Sequence, residues 1–282
     1  MKEHKLKEMS LEEVRTCSIG ILNFIVSVCK RNNLTYYLCG GTLLGAVRHG
    51  GFIPWDDDID IMMPRHDYER LFEVWPEDEN FKVLNYKNTH NWPFAFGKAV
   101  DKRTLKLEPI RMDSQLIGVD VDIFPIDNLP DDEAESEKLF VDVAKAGRRL
   151  GIQLSAYGRG PASRTVFWTI FRNIFVFIIR VSEILRLTSV YRCTKNFDAI
   201  AQRYNKTETH FCGITAIDHY GSKERNPKSN FSEATEVLFE GGAYPAPIGY
   251  PDYLARLYGN DYMELPPVEK RRTHHTFKAY WL

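Results

Sequence analysis

Residues 58–63, DIDIMM, and residues 118–124, GVDVDIF, alternate acidic and apolar side chains with a period of two. Only an extended strand keeps such a pattern in order, because successive side chains leave opposite faces. Asp58 and Asp60 then share one face, about 7 Å apart along the backbone, while Ile59 and Ile61 enter a core. Asp120 and Asp122 repeat the arrangement, backed by Val119, Val121 and Ile123. Two neighbouring strands of this kind gather three or four carboxylates. At ~4 Å two bare carboxylates repel by about 4 kcal/mol at an effective dielectric of about 20. Such a cluster persists if the acids take up protons or if a cation sits among them. All-oxygen ligands suit Mg²⁺ or Mn²⁺, often shared with substrate phosphates. The physical reading is a metal-dependent phosphoryl-transfer site. The alternative is a solvated acidic loop leading into an ordinary half-exposed strand.

The residues upstream favour the first reading. "SLEEVRTCSIGILNFIVSVCKRNN" predicts a helix, with Ser10 and Glu13 as a capping box and Leu11, Val14, Ile21, Leu22, Ile25 and Val28 at helical spacing. "TYYLC" predicts a short strand, Gly40-Gly41 a tight turn and "TLLGAVR" a short helix. Glycines between a strand and a helix let backbone N–H groups approach a phosphate, and the helix N-terminus adds partial positive charge. Thr42 can add a hydroxyl. "HGGFIP" is loop, and Pro64 suits the first turn of a helix over 64–75. Further strands are predicted at "FKVLNY" and "FAFGKAV", and a helix over 131–150.

Composition narrows the class. The chain has 282 residues, 44% of them hydrophobic, and a net charge of -1. That is enough for a proper core and offers no basic field for nucleic acid. Five cysteines, an odd number without metal-finger spacing, predict free thiols in a reducing compartment. The polar N-terminus lacks the apolar run of a signal peptide, so a cytoplasmic location is expected. The apolar run over 166–185 is interrupted by Arg172, Arg180 and Glu183. It fits a packed or membrane-surface helix better than a spanning one.

The strand, the glycine pair, the short helix and the DxD strand together resemble the nucleotidyltransferase (polymerase beta-like) fold. More narrowly, "GGTLLGAVRHGGFIPWDDDIDI", "DIFPID" at 122–127 and "YLARLYGNDYMELPP" near the end resemble the LicD family. Its members are phosphocholine transferases related to fukutin-type proteins. The resemblance implies an α+β fold: a catalytic core over residues 1–150 and a mainly helical C-terminal region, 151–282, packed on it. It implies a CDP-choline donor, or a related CDP-linked phospho-alcohol, and a sugar hydroxyl of a teichoic acid or lipopolysaccharide precursor as acceptor, with CMP released. Asp58 and Asp60 would hold Mg²⁺ or Mn²⁺, and Asp122 would be the third ligand and proton acceptor. Asp120 ranks lower, and Asp56 and Asp57 read as loop acids. Arg48 and Lys98 are candidates for the donor phosphates. Trp55 is the first candidate for a wall around the quaternary ammonium, with Tyr36, Trp92 and Phe124 behind it. Tyr258 and Gly259 are expected to pack rather than to do chemistry.

Two other readings are open. The same core could move a nucleoside monophosphate from an NTP to a small acceptor. A catalytically silent protein could instead use the apolar 166–185 helix to bind a membrane surface, although the intact acidic strands argue for chemistry.

Overall fold

The structure, a computed structural model, describes residues 6–107, 117–155, 166–184, 188–271 and 277–282. In chain order the elements are β1 (Lys7–Glu8), α1 (Leu11–Asn32), β2 (Tyr37–Leu38), α2 (Gly40–His49), β3 (Asp60–Pro64) and α3 (Arg65–Val74). Then come β4 (Phe81–Leu84), β5 (Gly97–Asp101), β6 (Thr104–Leu107), β7 (Asp120–Leu129), α4 (Glu133–Ser155), α5 (Val166–Ile184) and α6 (Val190–Ala201). The last part holds β8 (Phe211–Ile214), β9 (Asn226–Pro227), β10 (Ala234–Phe239), β11 (Gly242–Pro247), α7 (Tyr250–Tyr258) and β12 (Lys278–Trp281). Helix and sheet are mixed, in keeping with the expected α+β class. The C-terminal region is helical through α6. Beyond it come strands as well: β8 adds to the central sheet, β10 and β11 form a hairpin, and β12 pairs with β1 and β6.

β7 is the spine. Its first half pairs antiparallel with β5 and its second half antiparallel with β8, while β3 runs parallel along the other edge. Pro125 has no N–H to donate, and it falls where the β5 partner has ended and the β8 partner has not begun. The strand is covered on both faces, so the acids that it carries are drawn into the interior.

α1 packs its apolar stripe on this sheet. Ile21, Leu22, Ile25 and Val28 are fully buried, each stabilising the fold by roughly 1.5–3 kcal/mol. Leu11, at the first helical position, is exposed instead. The capping box forms: the Ser10 hydroxyl accepts from the Glu13 N–H, and the Glu13 carboxylate accepts from the Ser10 N–H. Arg65 clamps the far end of β7. It donates to both oxygens of Asp127 at 2.7 and 2.6 Å and to Asp198 of α6 at 2.9 Å. Thus the second aspartate of "DIFPID" joins α3, β7 and α6. All five cysteines are free thiols. Among the described residues no helix is long and apolar enough to cross a membrane.

Candidate active site

The parallel register of β3 and β7 sets Asp60 opposite Asp122. The Asp122 N–H donates to the Ile59 carbonyl, and the Asp60 N–H donates to the Thr42 hydroxyl at 2.8 Å. β5 brings Lys98 opposite Asp122 on the other edge. There the Lys98 ammonium touches both Asp120 and Asp122, and Lys106 reaches the second oxygen of Asp120 at 2.7 Å. Burial alone would raise the Asp120 carboxyl, but Lys106 and Lys98 outweigh it and hold that group well below its usual range. Asp122 is pushed up to about 6, chiefly by burial, with Lys98 opposing the rise. Asp60 rises well above the usual carboxylate range, through burial and the charges of Asp58, Asp122 and Asp56.

Asp56, Asp58 and Asp60 line a cavity of about 400 Å³. Asp58 sits in the loop just ahead of β3. The carboxylates of Asp56, Asp57 and Asp58 lie within 4.8 Å of one another, so the two acids read as loop acids join Asp58. Arg15 of α1 fixes this loop, donating to the backbone carbonyls of Ile53, Pro54 and Asp56. The loop is fixed from the other side by Glu240, at the tip of the β10–β11 hairpin. Its carboxylate accepts from the Phe52 N–H, and its own N–H donates to the Gly50 carbonyl. A Cβ on Gly51 would stand 2.2 Å from that carboxylate, so a larger residue there would have to displace the Glu240 side chain.

Gly40 and Gly41 also line the cavity, and they form the first turn of α2 rather than a turn before it. Gly40 adopts φ +52°, a left-handed conformation that favours glycine. A Cβ on Gly41 would meet an Asp56 carboxylate oxygen at 2.9 Å, so the Asp56 side chain lies against the first turn of α2.

The remaining expected residues divide. Trp55 and Phe124 line the cavity, and the Arg271 guanidinium lies over the Trp55 ring, 5.9 Å from its centroid. Thr42 is buried, and its hydroxyl is engaged by β3. Arg48 donates to the carbonyls of Tyr262 and Glu264, which fastens the C-terminal segment to α2. Lys98 is buried against the β7 acids. Tyr36 belongs to the main core, and Trp92 lies in a separate apolar cluster, its indole N–H on the Phe96 carbonyl. Asp122 stands beside Asp60 but is not part of the cavity wall.

The cavity wall also holds residues to which the sequence reading gives no part in the chemistry. Tyr220, Tyr253 and Tyr258 line it together with His219 and Glu224. The Tyr220 and Tyr258 hydroxyls are 2.9 Å apart, their rings edge to face. The Tyr253 hydroxyl accepts from the Gly40 N–H. Glu224 is 2% exposed, and burial pushes its carboxyl up to about 8. Tyr253 and Tyr258 lie in the motif "YLARLYGNDYMELPP", where Tyr258 is expected only to pack, while no local signal marks Tyr220 or Glu224. These residues come from a short 3-10 turn and from α7, which only the fold brings over α2.

Residues 33–145 match the family model described as LicD/FKTN/FKRP, nucleotidyltransferase domain. The acids lie within the matched residues, while Tyr220, Glu224 and Tyr258 lie beyond them. The chain is similar from end to end to the lipopolysaccharide cholinephosphotransferase LicD of Haemophilus influenzae, with 30% identity over 98% of this chain and 100% of that one. It is also similar to the ribitol 5-phosphate transferase FKRP of Mus musculus, with 35% identity over 25% of this chain and 19% of that one. An uncharacterised protein of Rickettsia typhi shares 34% identity over 32% of this chain and 29% of its own length. Both relatives named for an activity are transferases, and this chain is a transferase enzyme. The chain belongs to the LicD family.

Proposed function

We propose that this protein transfers phosphocholine, or a related phospho-alcohol, from a CDP-linked donor to a sugar hydroxyl of a cell-surface glycan precursor of the teichoic acid or lipopolysaccharide type. The observation that carries the reading is the end-to-end similarity to a cholinephosphotransferase. A nucleotidyltransferase-type core is part of the proposal, supported by the strand, glycine-helix and acid-strand order around the cavity. The sugar oxygen forms a bond to the phosphorus that carries the alcohol, the bond from that phosphorus to CMP breaks, and CMP leaves with the electron pair. Asp122, pushed up to about 6, has a basicity suited to taking the hydroxyl's proton near neutral pH.

A divalent cation, Mg²⁺ or Mn²⁺, fits the donor set. Asp60 is raised by acidic neighbours, the Asp56, Asp57 and Asp58 oxygens are close together, and all are hard oxygen ligands. Asp58 and Asp60 would hold it, with Asp122 as third ligand and Asp56 and Asp57 close by. It would offset the charge of the donor's phosphates. Gly40 and Gly41 would set the α2 N-terminus against those phosphates.

We place the protein in the cytoplasm, with α5 against the inner face of the membrane. Ile174, Phe177 and Ile178 are more than half exposed. Residues 145–195 hold ten lysines and arginines, with Glu183 as the only acid. An apolar helix in a basic setting suits an anionic lipid surface, where a lipid-linked acceptor would reside.

The test is release of CMP from CDP-choline with Mg²⁺ or Mn²⁺ and a glycan acceptor. Release is expected in the wild type and absent in Asp58→Ala, Asp60→Ala. Undiminished release in the double variant would sink the assigned site. Stabilisation by ATP or GTP over CDP-choline would favour nucleoside monophosphate transfer instead.

A further inference from the structure

A second cavity, of about 480 Å³, adjoins the acid-lined one on the same face of the central sheet. Side chains two residues apart on a strand share a face. β7 sends Phe124 to the first cavity, and Ile126 and Asn128 to the second. β3 sends Asp60 to the first and Pro64 to the second, and β8 divides Ile214 and Cys212 in the same way. Ile126 and Ile214 stand opposite each other in register, one in each wall, so the two spaces meet across a single strand pair. Phe231 of the second cavity also packs edge to face on Tyr253 of the first, with ring centroids 6.4 Å apart. The step from Asp60 to Pro64 is about 13 Å along β3, a span that a short oligosaccharide covers.

The groups in the second wall limit what it can hold. The Asn128 amide N–H groups donate to the Tyr204 and Thr207 carbonyls, and its oxygen has no donor among the described residues. Lys228 is half-buried, and its ammonium has no partner among the described residues. It is close enough to Cys212 for its charge to oppose the rise of that buried thiol. The charge of Arg65 is already balanced by Asp127 and Asp198. The Tyr37 hydroxyl donates to the Phe231 carbonyl, which holds that ring in the wall. A phosphate would therefore gain one uncommitted ammonium and would face two carboxylates behind Arg65. A lipid chain would leave Asn128 and Lys228 unanswered. A sugar ring carries hydroxyls that donate one hydrogen bond and accept two, which suits an amide oxygen beside an ammonium. Its C–H face can cover the Phe231 ring and remove that surface from water.

We infer that the second cavity is an acceptor subsite, and that it takes the sugar unit next to the one whose hydroxyl attacks the phosphorus. This rests on the glycan acceptor of the proposed function and deepens it: the enzyme reads an oligosaccharide rather than a single sugar. Asn128, Lys228 and Phe231 bind and position the acceptor and take no part in bond making.

The experiment measures CMP release by the full chain from CDP-choline and Mn²⁺. The acceptors are oligosaccharides cut from lipopolysaccharide and from teichoic acid, each beside its own terminal monosaccharide. The accepted oligosaccharide should have a KM about tenfold below that of its monosaccharide. Lys228→Ala and Phe231→Leu should narrow that difference to about twofold, with kcat and the calorimetric Kd for CDP-choline unchanged. Lys228→Arg, which keeps a donor, should retain the preference, and Lys228→Ala should keep the wild-type melting temperature. Equal KM for oligosaccharide and monosaccharide, or an undiminished preference in both variants, overturns the subsite and leaves the transfer reading standing. If no acceptor elicits CMP release, the transfer reading falls, and calorimetric titration of the same oligosaccharides decides the cavity. Binding that weakens in Lys228→Ala supports it, and no binding or equal binding overturns it.

Discussion

Asp60 and Asp122 stand opposite each other across two parallel strands, yet only Asp122 touches a lysine. Lys98 and Lys106 offset the charge of the β7 acids. At Asp60, burial and three acidic neighbours outweigh the more distant charge of Lys98. The charge imbalance of the site is thus concentrated on the β3 side, next to the cavity.

Removing that imbalance should stabilise the metal-free protein. Asp60→Asn deletes a charge repelled by Asp58, Asp122 and Asp56 and keeps the side-chain volume. In chelator its melting temperature should exceed that of the wild type by about 2–4 °C, the equivalent of about 1 kcal/mol. Adding Mn²⁺ should raise the wild type and leave the variant nearly unmoved. A variant that melts lower than the wild type in chelator would show that Asp60 is not under electrostatic strain.

Lys98 should prove structural. Lys98→Met leaves Asp120 and Asp122 with less positive charge in a buried setting. Breaking a buried pair by removing one partner costs about 3–5 kcal/mol, which a urea transition would register. If Lys98 instead served only the donor's phosphates, KM would rise and the urea midpoint would stay in place.

Glu224 should make stability fall with rising pH. Its folded carboxyl titrates at about 8, above the ordinary value of 4.5. Between those values the folded state keeps a proton that the unfolded chain has released. The contribution is full below pH 4.5, falls by about 1.4 kcal/mol per pH unit as pH rises, and levels off above pH 8. Measured without donor, the gap between Glu224→Gln and the wild type should widen in favour of the variant from pH 5 to pH 8. A gap that stays constant over that range would refute the buried-carboxyl assignment.

Arg15 should act at a distance from the chemistry. Its guanidinium holds the carbonyls of Ile53, Pro54 and Asp56, and so fixes where Asp56, Asp57 and Asp58 converge. Arg15→Ala should raise the Mn²⁺ concentration needed for half-maximal activity about tenfold, with a small change in melting temperature. Arg15→Lys, which can reach fewer of the three carbonyls, should fall between the two. Unchanged metal dependence in Arg15→Ala would remove Arg15 from the site.

Local rules made much of this fold readable. The capping box and stripe of α1, the strands that carry Asp60 in β3 and Asp120 and Asp122 in β7, and the breaker in "HGGFIP" are encoded within a few residues. They concern backbone preference and the sorting of apolar from polar faces, which neighbours in sequence decide. Leu11, at the first helical position, is exposed, which its periodicity alone does not reveal. Arg48, Thr42 and Lys98 lie in or near the motifs, but what they touch depends on elements far along the chain.

The sequence by itself determined that acids alternating with apolar residues would sit on strands beside a glycine-led helix, because alternation sends the two kinds of side chain to opposite faces. Tertiary structure decided the rest. It set Asp60 against Asp122, assigned both lysines to β7, and carried Tyr220, Glu224 and Tyr258 over α2 from more than 150 residues away. The cause is physical: a charge or a ring acquires its role from the burial and the partners around it, and those are supplied by distant segments only once the sheet has closed.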